Sequence, residues 1–260
     1  MKKIFWITGA SSGIGAELAR QYAKKNVLLI LSARRESLLI ALKKELGNSK
    51  DIQLLPFDLT DFEMMPSLVE KAIAIFGRID VLINNGGISQ RSMISETSFD
   101  VYKKLMEVDY LGPVALSRAL LPHFIKQQKG HYVVVSSVMG KFGSPYRSGY
   151  CGAKHALHGF FDVLRMEHSK DNISVSLICP GFIQTNITIN AITGDGTSLG
   201  YDDPATLSGI SVRVFCRKMI RAIALRKRET IIAKKEKFGV YLRFFSNRLL
   251  QKIILNSQVR

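Results

Sequence analysis

Short apolar runs alternate with longer segments of helical period along most of this 260-residue chain. The runs are rich in β-branched residues and apolar throughout, which is typical of strands buried on both faces of a sheet. We predict strands at residues 3–8, 27–33, 52–57, 79–83, 132–136, 173–179 and 230–233. The segments between them have room for helices, the first two at residues 13–25 and 36–46.

Repeated strand–helix units of this kind predict an α/β fold, a doubly wound Rossmann fold whose central sheet is mostly parallel and carries helices on both faces. No repeat of fixed period and no low-complexity linker divides the chain. Residues 1–260 are therefore assigned to one domain. Within it, residues 181–205 are rich in Gly, Thr, Asn and Asp, and a loop of that length in an α/β domain is usually a lid over a binding site or a mobile segment.

A glycine-rich turn follows the first predicted strand directly. Its glycines allow a tight turn, a close approach of the backbone to a pyrophosphate and close packing of the next helix, whose amino terminus favours anions. Such turns also close ordinary strand–helix corners, but the strand before it and the helix after it favour a dinucleotide site. The residues assigned to that site are Thr8, Gly9, Ser11, Ser12, Gly13, Ile14 and Gly15.

The choice of dinucleotide is normally made at the end of the second strand. There an acidic side chain accepts from the ribose hydroxyl of NAD, whereas a basic one receives the 2′-phosphate of NADP. In this chain the acidic residue is missing, and Arg34 and Arg35 follow the strand. Guanidinium donors suit a phosphate, so we expect NADP(H) in preference to NAD(H). The alternative is that both arginines only begin a solvated helix.

Five motifs in order resemble those of the classical short-chain dehydrogenase/reductase (SDR) family, and the resemblance runs from Lys3 to about Thr185. They are TGxxxGxG at residues 8–15, Asn-Asn-Gly-Gly at 84–87 with Gly in place of one Ala, Ser137, Tyr150 with Lys154 in Tyr-x-x-x-Lys, and Pro-Gly-x-x-x-Thr at 180–185. The five together are much more specific than any one alone.

The resemblance implies several further roles for residues of this chain. It implies that Asp58 lies beside the adenine, that Asn84 lines the adenosine side and that Thr185 meets the nicotinamide carboxamide. It implies a homo-oligomer, a dimer or a tetramer. The remaining cofactor-binding residues on this basis are Gly86, Tyr150, Lys154, Pro180, Gly181 and Ile183.

Tyr150 and Lys154 are four residues apart on a predicted helix, so their side chains leave the same face. A nearby ammonium favours the phenolate and lowers the pKa of a tyrosine. In ketone reduction Tyr150 would protonate the carbonyl oxygen while Ser137 donates to it. An isolated Tyr-x-x-x-Lys is more often an exposed helical pair, but the serine and the glycine turn favour catalysis. The sequence thus predicts an NADP(H)-dependent carbonyl reductase or alcohol dehydrogenase, acting on a ketone or a secondary alcohol.

Asp109 stands where the family usually has Asn. In the family, that Asn helps to hold a water in a proton relay to the lysine. Aspartate has no amide donor and adds negative charge, so Asp109 is a candidate catalytic residue and, alternatively, one that only caps or bends its helix. This departure motivates a rival hypothesis, a cofactor-binding regulatory or scaffolding protein with weak catalysis.

Two short stretches, residues 145–150 and 190–196, resemble a subgroup of the family, dehydrogenase/reductase members 7 and 7B. This closer resemblance implies reduction of a lipid-like or otherwise hydrophobic ketone, such as an acyl or alkyl glycerone phosphate. The loop at 181–205 has no side chain of obvious specificity, so the substrate stays open.

The chain carries 37 Lys and Arg against 21 Asp and Glu, a formal net charge of +16. Residues 217–260 hold 13 of the basic residues and two Glu, so most of the excess lies there. Residues 236–260 predict a basic amphipathic helix. Its apolar face could pack on the domain or across an oligomer interface, or attach to an anionic membrane. Nucleic-acid binding has no motif to support it.

The cysteines, the amino-terminal apolar run and the histidines bear on the cellular location and on metal binding. The three cysteines, Cys151, Cys179 and Cys216, are widely spaced, which favours a reducing compartment. The apolar run at residues 4–7 is too short for export or for a membrane span, so we expect a cytoplasmic protein or one held peripherally at a membrane surface. The five histidines lack the spacing of a zinc site, so no metal is expected.

Overall fold

The computed structural model describes residues 1–257; residues 258–260, the end of the predicted carboxyl-terminal helix, lie outside the described residues. The strands are β1 Lys3–Thr8, β2 Val27–Ser32, β3 Ile52–Leu54, β4 Val81–Asn84, β5 Gly130–Val135, β6 Ile173–Pro180, β7 Ile183–Gln184, β8 Ile210–Ser211 and β9 Glu229–Ile232. Seven of them form a parallel sheet in the order β3-β2-β1-β4-β5-β6-β9, and the two short strands β7 and β8 pair with each other.

Helices cover both faces of this sheet, which confirms the predicted doubly wound α/β class. They are α1 Gly13–Ala23, α2 Glu36–Glu45, α3 Met65–Phe76, α4 Phe99–Met106, α5 Gly112–Gln127, α6 Ser148–Glu167, α7 Pro204–Leu207, α8 Val212–Ala224, α9 Glu236–Phe245 and α10 Asn247–Asn256. None of the helices within residues 1–257 is long and apolar enough to cross a membrane.

Two hydrophobic cores lie on opposite faces of the sheet because successive strand residues point to opposite sides. Phe5 and Ile7 of β1 pack with α1, α2 and α8. Ile4 and Trp6 of the same strand pack with α3, α5 and α6. Each strand therefore needs apolar residues at consecutive positions, which explains the continuous apolar runs of the sequence.

The strand order reverses between β1 and β4. β1 pairs with β2 on one side and with β4 on the other, with Ile7 opposite both Leu31 and Ile83. The connections after these two strands run in opposite directions across the sheet, which opens a crevice at the carboxyl ends of the strands. The glycine turn after β1 is thereby brought next to the segment after β4.

The strand bounds agree with the predicted ones within two residues, except at β3. That strand was expected to reach residue 57 and ends at Leu54. Leu55 and Phe57 still donate to Leu31 and Ala33 beside β2. Pro56 stands between them, where its missing N–H would face the open edge of the sheet, a position at which an edge strand tolerates proline.

The predicted amphipathic helix over residues 236–260 is wrong in one respect, because the structure has two helices there, α9 and α10. Ser246 separates them with an extended backbone (φ −158°, ψ 102°), and its side chain accepts from the Leu249 N–H. A serine that caps a new helix competes with the continuation of the old one. The helical period of the apolar residues does not reveal such a break.

Candidate active site

A cavity of about 460 Å³ opens at the carboxyl ends of the central strands. Most of the predicted site residues line it, although they come from distant parts of the chain. Gly15, Asn84 and Asp109 lie outside its lining. The predicted residues that line it are Thr8, Gly9, Ser11, Ser12, Gly13, Ile14, Arg34, Arg35, Asp58, Gly86, Ser137, Tyr150, Lys154, Pro180, Gly181, Ile183 and Thr185.

The glycine turn has a backbone that side chains would disrupt. Gly9 and Gly13 have φ of +63° and +52°, in the left-handed region that favours glycine. A Cβ on Gly15 would lie 2.3 Å from the Gly9 carbonyl oxygen. Gly15 therefore supports the turn from behind, and the residues before it form the wall of the cavity.

The turn is fastened to the segment after β4 by hydrogen bonds. Thr8 Oγ1 accepts from the backbone N–H groups of Asn85 (3.0 Å) and Gly86 (3.1 Å). Asn85 Nδ2 donates to the Thr8 carbonyl oxygen (2.9 Å). Asn85 and Gly86 thus hold one edge of the crevice against the other, which gives the Asn-Asn-Gly-Gly motif a structural role.

The amino terminus of α1 opens on the cavity. Ser12 precedes the helix with an extended backbone (φ −161°, ψ 174°), and Ser11, Ser12 and Gly13 line the cavity wall. The first N–H groups of a helix have no partner within it and favour anions. The local chemistry therefore fits a pyrophosphate.

Arg34 and Arg35 line the cavity directly after β2. Arg34 is exposed, and its Nη1 lies 3.6 Å from Asp58 Oδ2. Asp58 in turn accepts from the Thr60 N–H at 3.0 Å. The position at which NAD sites carry an acidic residue thus carries positive charge, and the nearby carboxylate is turned towards Arg34.

Ser137, Tyr150 and Lys154 meet above the end of β5. Ser137 follows that strand, and its Oγ accepts from the Met139 N–H (3.1 Å) at the start of a short 3₁₀ turn. Tyr150 and Lys154 lie one turn apart on α6, with Lys154 Nζ 5.5 Å from the centre of the tyrosine ring. Lys154 Nζ also donates to the Val135 carbonyl oxygen (3.5 Å).

The pKa of Tyr150 is raised above its ordinary value, because burial disfavours the phenolate. The ammonium of Lys154 opposes this rise, the carboxylate of Asp109 adds to it, and a hydrogen bond with Ser137 opposes it. The sequence predicted that Lys154 lowers this pKa, which is confirmed, but it did not predict the burial that outweighs the lysine. Tyr150 is therefore held protonated near neutral pH in this structure.

Asp109 lies in a single π-helical turn, Glu107–Leu111, between α4 and α5. Its Oδ1 accepts from the Ile88 N–H at 2.7 Å, and its Oδ2 lies 3.4 Å from Lys154 Nζ. Burial raises the pKa of Asp109, while Lys154 and the Ile88 N–H lower it. The side chain thus contacts the lysine from behind the cavity wall.

Asn84 differs from the position that the resemblance implied for it. It is the last residue of β4, and its side chain turns towards α5, where Nδ2 donates to Ser117 Oγ (2.9 Å). Asn85 and Gly86 line the cavity instead. Consecutive residues at the end of a strand face different sides, so a neighbour takes the position expected of Asn84.

Gln90 is a buried residue that the sequence did not single out. Its Oε1 accepts from the backbone N–H groups of Gly149 (2.8 Å) and Tyr150 (3.3 Å). Arg147, which precedes α6, provides no side-chain cap. Gln90 thus serves the first turn of the helix that carries Tyr150, from a position 60 residues away, and no local pattern could reveal this.

A second group missed from the sequence fastens the loop at 181–205. Arg91 Nη2 lies 2.7 Å from Asp203 Oδ2, and the Arg91 N–H donates to the Ile192 carbonyl oxygen (2.9 Å). Arg147 Nη2 lies 3.5 Å from the same carboxylate. Burial, aided by Arg91, lowers the pKa of Arg147 to about 10, and Asp203 opposes this. Both arginines also line the cavity.

The chain is similar to known proteins over most of its length. The family model for short chain dehydrogenase matches residues 3–195. The chain is 41% identical to the Xenopus laevis dehydrogenase/reductase SDR family member 7B over 256 residues, 95% of this chain and 79% of that protein. It is 49% identical to the Homo sapiens dehydrogenase/reductase SDR family member 7 over 200 residues, 75% of this chain and 59% of that protein.

Solved structures show the same fold. The crystal structure of a short chain dehydrogenase/reductase from Burkholderia phymatum in complex with NAD superposes with a TM-score of 0.83. The match covers 95% of each chain at 22% identity. The chain therefore belongs to the short-chain dehydrogenase/reductase family of oxidoreductases, in the subgroup of members 7 and 7B.

Proposed function

We propose that this protein is an NADP(H)-dependent carbonyl reductase that converts a hydrophobic ketone into a secondary alcohol. The observation that carries the proposal is that Ser137, Tyr150 and Lys154 line the same cavity as the glycine turn. The cavity thus combines groups that suit a dinucleotide with a buried proton donor. A protein that only bound the cofactor would have no need of the three side chains.

Each of the three side chains has its own role in ketone reduction. A bound nicotinamide supplies the hydride. Tyr150 gives its proton to the carbonyl oxygen, and Ser137 donates a hydrogen bond to that oxygen as negative charge develops on it. Lys154, within 5.5 Å of the tyrosine ring, stabilises the phenolate that remains and orients the cofactor.

The protonated form of Tyr150 suits ketone reduction near neutral pH. Burial and Asp109 raise its pKa, so the form present near neutral pH is the acid that reduction needs. Oxidation needs the phenolate as base, which the same environment disfavours. Asp109 thereby helps to keep Tyr150 in the form that ketone reduction uses. An aspartate at this position is therefore compatible with catalysis.

The preference for NADP(H) is supported by Arg34 and Arg35. Both line the cavity after β2, where a 2′-phosphate would find guanidinium donors. The Burkholderia structure is a complex with NAD, and that of a Thermococcus sibiricus alcohol dehydrogenase is a complex with 5-hydroxy-NADP, so the fold accepts either dinucleotide. The charge at these two positions is what favours NADP(H) in this chain.

A hydrophobic substrate is supported by the side of the cavity beyond Tyr150. The family generally uses small-molecule substrates, and the buried arginines there are engaged with Asp203. Around them the lining combines apolar side chains with Ser89, Lys104, Asn186, Thr188, Asn190, Ser198 and Thr206. Its apolar residues are Ile88, Val108, Val138, Met139, Phe182, Ile187 and Ile192.

The direct test is a panel of ketones of increasing chain length, with and without a phosphate group, assayed by the loss of NADPH absorbance. We expect turnover that rises with apolar chain length in the wild type and disappears in Tyr150→Phe. Tight NADPH binding without turnover of any ketone would instead favour the scaffolding hypothesis.

A further inference from the structure

The helices α9 and α10, here called the C-terminal pair, expose large apolar side chains. Phe244 and Phe245 are 82% and 87% exposed. Scattered apolar residues on a surface are ordinary, but a concentration of them marks a site of interaction. The other exposed apolar side chains of the pair are Phe238, Tyr241, Leu249, Ile253 and Leu255.

The pair is attached to the domain by its opposite side, so the exposed side chains are not the result of a detached segment. Val240 and Leu250 are buried. A Cβ on Gly239 would lie 3.1 Å from the Phe142 ring, and the Arg243 guanidinium donates to the Lys141 carbonyl oxygen. One side of the pair therefore packs on the turn after β5, and the other side is left uncovered.

The C-terminal pair, residues 236–256, is basic. It contains four Lys and Arg against one acidic residue, Glu236, a net charge of +3. Lys237 Nζ lies 5.2 Å from the centre of the Phe238 ring, so charge and aromatic surface are adjacent. The remaining basic residues of the pair are Arg243, Arg248 and Lys252.

We propose that the C-terminal pair docks on an anionic lipid bilayer. A second copy of this chain related by a two-fold axis would place the same basic surface against itself, which like charges disfavour. A nucleic acid would satisfy the charge but would leave the aliphatic side chains of α10 exposed. An anionic bilayer satisfies both, because apolar side chains enter the acyl boundary while Lys and Arg meet the headgroups.

Docking would bring the bilayer close to the catalytic residues. Val240 of α9 belongs to the same buried cluster as Tyr150 and Met139. The proposal does not rest on the function proposed above, since it concerns surface chemistry alone. If both hold, an apolar ketone dissolved in the bilayer would have a short path to the cavity.

The test is co-sedimentation of the full chain with phosphatidylcholine vesicles, with and without phosphatidylserine. We expect binding only to the anionic vesicles, with strong weakening by salt. The variant Phe244→Ser/Phe245→Ser removes apolar surface, and Lys237→Ala/Arg248→Ala/Lys252→Ala removes charge. The charge variant, which lacks three basic residues, is expected to bind about 100-fold more weakly, since each basic residue near the surface contributes about fivefold.

Matched variants separate this surface from general effects. Phe99→Ser removes another exposed aromatic ring, which is 74% exposed on α4, and Lys25→Ala/Lys44→Ala/Lys50→Ala removes three exposed lysines near the other edge of the sheet. Both controls are expected to bind vesicles as the wild type does. The far-ultraviolet circular dichroism spectrum and the thermal unfolding midpoint are expected to be nearly unchanged in all four variants, which shows that the domain is folded.

Three results would overturn the proposal. The first is wild-type protein that does not sediment with anionic vesicles at low salt. The second is a dimer, measured by sedimentation velocity, that the Phe244→Ser/Phe245→Ser variant dissociates while vesicle binding stays the same. The third is binding to a single-stranded oligonucleotide that depends on the same basic residues, in the absence of vesicle binding.

Discussion

Asp109 Oδ2 lies 3.4 Å from Lys154 Nζ, and both side chains are almost completely buried. The ammonium that should favour the Tyr150 phenolate is therefore accompanied by a carboxylate that disfavours it. In a buried site these opposite charges act more strongly than in water. The pair sets the protonation of Tyr150 together, and the residue at position 109 becomes a means of adjusting it.

Asp109→Asn is expected to lower the pKa of Tyr150, because it removes a negative charge that raises this pKa. Ketone reduction needs the protonated tyrosine, so the alkaline limb of its rate profile is expected to move to lower pH. Alcohol oxidation needs the phenolate, so its acidic limb is expected to move in the same direction. The measurement is kcat against pH in both directions.

Glu107→Gln provides the control for Asp109→Asn. It removes a carboxylate from the same π-helical turn without touching the contact between Asp109 and Lys154. We expect its profile to match that of the wild type. If the limbs of the Asp109→Asn profile stay in place or move to higher pH, the role given to this carboxylate is contradicted.

Tyr150→Phe is expected to lower kcat by about 10²–10⁴-fold, the usual contribution of a positioned proton donor. NADPH affinity should stay nearly the same, because the ring and its packing are kept. Stopped-flow turnover and fluorescence titration of NADPH measure the two effects separately. Tyr22→Phe, at a buried tyrosine that stacks on Phe5, is the matched control and should turn over normally. A similar loss in both variants would rule out a specific role for Tyr150.

Arg34→Ala/Arg35→Ala is expected to weaken NADPH binding by about 10–100-fold, because charge-assisted bonds to the 2′-phosphate are lost. NADH, which lacks that phosphate, should bind as it does to the wild type. Calorimetric titration with each dinucleotide gives the ratio of the NADPH and NADH dissociation constants. Arg118→Ala, on the exposed face of α5, provides the control. Equal losses for both dinucleotides would contradict the assignment of NADP(H).

Gln90→Leu is expected to lower the free energy of unfolding by about 1–3 kcal/mol, since the buried N–H groups of Gly149 and Tyr150 lose their acceptor. It should also lower kcat more than it raises KM, because α6 carries the proton donor.

Gln90→Glu keeps the acceptor, and the hydroxyls of Ser92 and Thr97 can turn to donate. We therefore expect the glutamate variant to retain more kcat than the leucine variant. Equal loss in the two would leave Gln90 as a packing residue only. Urea denaturation and steady-state kinetics measure these effects.

The sheet could be predicted because each strand is buried on both faces and so leaves a continuous apolar run. The run at residues 27–33 corresponds to β2 within one residue. The glycine turn and Tyr150 with Lys154 could be found because each is a local pattern. Gln90, Arg91 and Asp203 could not, because these partners lie 59 and 112 residues apart in the chain. The sign of the Tyr150 pKa shift depends on burial, which no spacing of residues reports.

The tie between Arg91 and the loop at 181–205 has a consequence for engineering. Arg91 holds the middle of the loop through Ile192 and its end through Asp203. A chimera that imported a different loop without the acidic partner would leave a buried guanidinium beside a second arginine, Arg147. Position 91 and the loop therefore form one exchangeable unit, and specificity is best transplanted with both.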